Sequence, residues 1–290
     1  MKIVHFCAGL EYWNGMANNA RDVIKEELSQ GMNSSLTNRL SAIDSTVDVV
    51  HIHGAWLPIL WLVVLRAKFV KARLIVRPEG SYDPVRRKFH AWRKHFVAPF
   101  EHWMLRSADV VEATCDEEAK WIEEYEPKIR KIVVVDLKKY FKMDVPVVRP
   151  KIQRPLVALH VLYLGRQHPL KGIKYLKSAV KLLNAEASQL VPQCRNGGCI
   201  ELRIISDSQG GDLEDIWNWT DILCLPTLSD NFGRVVAESL MRGIPVITTD
   251  GAPAWSDLSL ERGLFLRGYR KGSDEVRVKL LKDALAYYVD

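Results

Sequence analysis

Short runs of β-branched and other apolar residues alternate along the whole chain with stretches in which apolar positions recur at helical spacing. Such alternation predicts βαβ units built on a parallel sheet. In the first half it predicts strands at 2–7, 47–51, 73–77, 110–113 and 132–135. Helices are expected between them at 17–30, 57–69, 117–124 and, as one long element, 85–106. Residues 141–155 contain Pro146, Pro150 and Pro155 among basic residues and read as a linker. The pattern then restarts, with strands at 157–164, 201–205, 222–225 and 245–248, helices at 172–183 and 232–242, and a polar loop at 193–198. The fold class is α/β with two halves, residues 1–148 and 149–275, and a closing helix at 276–290.

Two segments of the second half carry candidate chemistry. In 225–249 a buried strand leads through Ser229, Asp230, Asn231 and Phe232 into a helix opening near Gly233. A helix start presents unpaired amides and the positive end of a dipole, which suits a phosphate. Gly233 permits close approach to the backbone. Asp230 at the turn is suited to accept from sugar hydroxyls, and Glu238 on the second helical turn is suited to a ribose hydroxyl pair. The same residues also make good sense as helix caps and a solvated helix face. The second segment, 162–172, is a strand end followed by Arg166, His168, Lys171 and Gly172. Open α/β sheets bind ligands at strand carboxyl ends, and a planar guanidinium beside a compact ammonium suits a diphosphate. His168, beside Pro169, reads as a loop residue.

Together these segments resemble the C-terminal half of retaining GT-B glycosyltransferases, in particular the large family 4 of bacterial polysaccharide and lipopolysaccharide enzymes. That family pairs a Gly-Arg…Lys-Gly loop with a Glu-x7-Glu motif followed by Gly-x-Pro-Val-Ile. Segments 48–56, 77–83 and 108–114 of the first half fall in the family's order. The resemblance implies two Rossmann-like domains facing each other across a cleft, an acceptor-side domain first and a shortened nucleotide-sugar-binding domain second, with the closing helix returning to the first. It also implies transfer of a sugar, with retained configuration, from a nucleotide-diphosphate sugar to a hydroxyl of a glycan or lipid-linked acceptor. Arg166 and Lys171 would neutralise the departing diphosphate, Glu238 would hold the ribose, and Asp230 would contact the transferred sugar. Asn231, Phe232 and Gly233 would line the donor, and Gly15 would approach the diphosphate from the other domain. The donor's own phosphate would act as base, with no metal and no other cofactor. The chain departs from the pattern in three places. Asp230 replaces the first Glu, Glu79 stands where the family has His, and only about sixteen residues separate the strands at 201–205 and 222–225. A chain that keeps the fold as a binding or scaffold protein is the competing expectation.

His53 follows a strand and precedes Gly54, at the edge of the sheet where a substrate would sit, and Glu79 is a further acceptor-side candidate. Cys194 and Cys199 lack visible partner ligands for a metal, and no ligand cluster is evident from spacing. The five scattered cysteines point to a reducing compartment, and the apolar run 56–65 is too short to span a bilayer, so a cytoplasmic protein is expected. Net charge is +6, yet residues 66–106 hold eleven Lys/Arg against three Asp/Glu. Within them, 86–97 interleaves cations with Phe89, Trp92 and Phe96, a surface suited to an anionic membrane and hence to peripheral association. A helix packing its aromatics on its own domain is the alternative. No nucleic-acid-binding module accompanies the charge, and the loop after the first strand lacks the G-x-G-x-x-G of a nicotinamide enzyme.

Overall fold

The computed structural model describes residues 1–10, 15–147, 158–190, 200–206 and 213–289. They form two compact units, Met1–Tyr140 and Phe141–Asp290, each built on one parallel sheet.

The first unit contains strands β1 (Lys2–Cys7), β2 (Asn33–Thr37), β3 (Val49–His53), β4 (Arg73–Arg77), β5 (Val110–Ala113) and β6 (Ile132–Val134), in the order β2-β1-β3-β4-β5-β6. β1 and β3 are buried almost throughout, as expected of strands covered on both faces. β2 is an addition to the strands predicted above: its Asn-Ser-Ser start has no apolar run, because it is an edge strand paired only with β1. The helices are α1 (Gly15–Ser29), α2 (Pro58–Phe69), α3 (Pro84–Lys88), α4 (Ala91–Ser107) and α5 (Asp116–Tyr125). The single helix expected at 85–106 is thus two. Asp83 caps the first by accepting from Val85 N at 2.8 Å, and His90, left-handed at φ 52°, separates them. Buried Glu101 ties α4 to the rest of the unit by accepting from Trp56 N, Trp61 Nε1 (both 2.9 Å) and Tyr82 Oη (2.7 Å).

The second unit orders its strands β11-β10-β9-β7-β8, where β7 is Leu159–Leu164, β8 Ile200–Ile205, β9 Ile222–Leu225, β10 Val246–Thr249 and β11 Gly263–Leu266. Its helices are α6 (Ile173–Leu190), α7 (Leu213–Trp219), α8 (Arg234–Leu240) and α9 (Asp274–Val289). Among the described residues one helix, α7, occupies the short connection between β8 and β9. The closing helix, α9, lies along α6 of its own unit. The loop expected at 193–198, with Cys194, lies outside the described residues. No helix among the described residues is long and apolar enough to cross a membrane.

Asp274, at the start of α9, accepts from Lys174 Nζ (2.8 Å), Tyr175 Oη (2.6 Å) and Arg277 (2.9 Å). Hydrogen bonds from Lys174 and then Tyr175 hold its carboxyl at a pKa of about 2. The stabilisation is therefore complete above the ordinary aspartate range and lost as pH falls through it towards 2. Asp274→Asn is expected to flatten that part of the acid limb in pH-dependent unfolding, and an unchanged limb would show the contact to be without weight.

Candidate active site

Both sheets share a topological feature. The chain leaves the first strand to one side and returns on the other, so a crevice opens at the carboxyl ends of β7 and β9, and likewise of β1 and β3.

In the second unit the crevice is bordered by loop 165–172 after β7 and loop 226–233 after β9. Backbone contacts join the loops. Leu228 N donates to Leu170 O at 2.7 Å, and Thr227 Oγ1 donates to the same oxygen at 3.1 Å. Gly172 is left-handed at φ +68°, and a Cβ there would fall inside the van der Waals envelope of the Pro226 carbonyl oxygen. Only glycine meets both demands. His168 has a local role, its Nδ1 accepting from Leu170 N at 3.2 Å. Asp230 is held from two sides: its N donates to Gly251 O at 2.7 Å and its Oδ1 accepts from Asn231 N at 2.9 Å.

This framework brings Lys171 and Asp230 into a direct ion pair, with side chains 14% and 18% exposed. Arg166 lies on the same loop as Lys171. Its carbonyl accepts from Tyr163 Oη at 2.8 Å while its side chain reaches into solvent. Asn231 and Phe232 are buried, and Phe232 O accepts from Trp255 Nε1. Gly233 is left-handed at φ +63°, and a Cβ there would lie 3.1 Å from Leu225 Cδ2, so backbone conformation and packing both favour glycine. α8 opens at Arg234, slightly later than the sequence suggests, and is seven residues long. Glu238 sits on its second turn, half-buried, accepting from Arg234 Nε at 2.8 Å. Lys171, Asp230 and the 231–233 turn therefore gather at one strand edge, with Arg166 on the loop above.

The remaining candidates belong to the first unit. Gly15 is the exposed first residue of α1. His53 and Glu79 are buried, and His53 Nδ1 lies 3.5 Å from Glu79 Oε1. Asn19 Nδ2 donates to Glu79 Oε2 at 3.2 Å. Burial, reinforced by Arg77, pushes the His53 pKa well below the ordinary imidazole range; burial, then His53 and Arg77, does the same for His51. Spacing alone misses the company these two rings keep. His51 and His53 alternate along β3 and so share a face, and the β1–β3 register sets His5 opposite His51. The three imidazoles stack with centroids 4.4–5.3 Å apart. Spacing along the chain shows no such grouping, yet among the described residues His5, His51 and His53 come together, with ring nitrogens within 4.8 Å of one another. The signal was the pairing of two strands, which spacing along the chain does not contain.

Along segment 86–97 the structure divides the charges. Lys94 lies over the Trp56 ring and Arg87 over the Tyr125 ring, both directed into the unit. Lys88, Phe89, Arg93, Trp92 (63% exposed) and Phe96 (72% exposed) remain at the surface.

Comparison with known proteins bears on the fold. Residues 28–137 match a family described as a glycosyl transferase 4-like domain. Sucrose-phosphate synthase from Thermosynechococcus elongatus superposes with a TM-score of 0.66 at 14% identity, over 99% of this chain and 90% of that one. HepE from Anabaena, in complex with UDP and glucose, gives 0.60 at 12% identity, over 99% and 94%. The lipopolysaccharide outer core galactosyltransferase WaaB gives 0.57 at 16% identity, over 100% and 92%. No curated protein sequence matches the chain. The fold is that of the GT-B glycosyltransferases. Within it, the similarity to a glycosyl transferase 4-like domain lies in residues 28–137 of the first unit.

Proposed function

We propose that the chain is a retaining, metal-independent glycosyltransferase that moves a sugar from a nucleoside-diphosphate donor to a hydroxyl of a glycan or glycolipid. The observation that carries this reading is the Lys171–Asp230 pair at the carboxyl edge of β7 and β9, held by loops whose backbones are joined. A diphosphate arriving there competes with Asp230 for Lys171, and Arg166 adds a second cation from the same loop. Asp230, released from its partner, is then available to the hydroxyls of the sugar. In the transfer step the bond between the anomeric carbon and the phosphate oxygen breaks. The acceptor oxygen bonds to that carbon on the same face, and its proton passes to the departing phosphate. Lys171 and Arg166 supply the positive charge that this departure demands. HepE is described with UDP and glucose, so UDP-sugars are the first donors to test.

Glu238 is assigned to the ribose hydroxyls, with Arg234 as its partner at rest. Glu238→Ala is expected to raise the donor KM about tenfold or more with a smaller change in kcat, because a charged hydrogen bond is lost in ground and transition states alike. An unchanged donor KM would remove Glu238 from the site. A panel of nucleotide sugars, scored for thermal stabilisation and then for transfer, tests the activity itself. Binding without transfer to any glycan or glycolipid would instead mark the chain as a binding protein.

The assigned setting is the cytoplasmic face of an anionic membrane. Exposed Trp92 and Phe96 beside Lys88 and Arg93 support it by pairing apolar contact with positive charge. Salt-sensitive sedimentation with anionic vesicles is expected, and its loss in a Trp92→Ala/Phe96→Ala variant. Failure of the wild-type chain to sediment would end this part of the proposal.

A further inference from the structure

The histidine cluster of the first unit has a hydrogen-bond pattern that a neutral, metal-free cluster satisfies poorly. Glu27 Oε2, on α1, accepts from Ser34 Oγ and lies 2.8 Å from His5 Nε2. Accepting there places a proton on His5 Nε2, which in the neutral ring leaves Nδ1 as a lone pair. That lone pair faces His53 Nε2 at 3.0 Å. The other nitrogen of His53, Nδ1, has the Glu79 carboxyl 3.5 Å away. A proton placed on His53 Nε2 satisfies His5 but turns a bare Nδ1 towards a carboxylate. A proton placed on Nδ1 satisfies Glu79 but sets two lone pairs against each other. His51, the third ring, has a buried Nε2 with no hydrogen-bond partner among the described residues, 3.4 Å from Glu112 Oε2.

A cation held by His5 Nδ1 and His53 Nε2 removes the conflict at His53, and His51 brings a third imidazole to the same place. With both outer protons held by carboxylates, His5 Nδ1 and His53 Nε2 present lone pairs to the same point. This is the carboxylate–histidine–metal arrangement that fixes tautomers in metal sites. Ligand atoms of the three rings lie within 4.8 Å of one another. The 3.0 Å between His5 Nδ1 and His53 Nε2 is close to the edge of a tetrahedron with metal–nitrogen bonds of about 2.0–2.1 Å, roughly 3.3 Å. Charge points the same way: Glu27, Glu79 and Glu112 stand beside the rings, and the guanidinium of Arg77 is bound to Glu112.

We propose that His5, His51 and His53 bind one divalent transition-metal ion of the Zn2+ class, as a structural site that ties β1 to β3 and is braced from α1 by Glu27. Three imidazoles favour such ions over Mg2+ or Ca2+. The site uses residues of the first unit and none of those assigned to the diphosphate.

Titration of the metal-stripped full chain with Co2+, followed by visible absorption, tests the proposal. One equivalent is expected to produce the absorption of a four-coordinate ion, to be displaced by Zn2+, and to raise the melting temperature. His51→Phe should abolish the signal, whereas His95→Phe, at an exposed position, should retain it. Absence of saturable uptake by the wild-type chain, or undiminished uptake in His51→Phe, would overturn the proposal. Should His51→Phe fail to fold, anomalous scattering at the zinc edge from wild-type crystals soaked in Zn2+ decides. A peak among the three rings supports the site, and no peak there rejects it.

Discussion

Lys171→Ala is expected to lower the rate of sugar transfer by about 10²- to 10³-fold, the usual consequence of removing one preorganised group that meets charge developing in a transition state. The lysine ammonium is held at the rim of the β7–β9 crevice by a loop that cannot shift without breaking the Leu228–Leu170 and Thr227–Leu170 hydrogen bonds. Its counter-charge at rest, Asp230, is itself fixed by Gly251 and Asn231. Asp230 keeps its hydrogen bond from Asn231 N when the ammonium is removed, so the melting temperature should fall far less than the activity does. Lys171→Arg should recover part of the lost rate, since charge is kept while reach and geometry change. A variant with full activity would remove the diphosphate assignment. One that simply unfolds would mean the ion pair serves the fold.

Gly172→Ala is expected to act through the fold and to be the most destabilising single-methyl change near the site. The residue is left-handed, and its added carbon would collide with the backbone oxygen of Pro226, which cannot rotate away as a side-chain tip would. Strain of this kind costs about 3 kcal/mol, roughly 6–12 °C in melting temperature for a unit of this size. The two loops would part, and Lys171 and Asp230 with them, so activity should fall along with stability. Thermal unfolding and transfer measured on the same preparation check this. A variant with wild-type stability would show that the loops are not locked by the Gly172–Pro226 approach.

The two halves and most strands are legible in the sequence because buried parallel strands are written as β-branched runs. The strand at Lys2–Cys7 and that at Ile222–Leu225 coincide with their runs. What escapes is whatever depends on a neighbour. β2 is polar because only one side of it is paired, and the break at His90 is made by a left-handed residue that is neither glycine nor proline. The site divides in the same way. Local order along 165–172 and 225–233 places Lys171 and Asp230 at strand ends, but their pairing spans 59 positions. His53 looks like a rim residue from its place before Gly54, yet it is buried, because His5, 48 positions away, and Glu79 close over it.

The central claim, that the basic loop of the second unit holds a diphosphate, is tested most directly by calorimetric titration with nucleoside diphosphates and with the matching nucleosides. At least one diphosphate should bind the wild-type chain, its nucleoside should bind far more weakly, and an Arg166→Ala/Lys171→Ala variant should lose the difference. Equal affinity for nucleoside and diphosphate, or undiminished diphosphate binding by that variant, would contradict it.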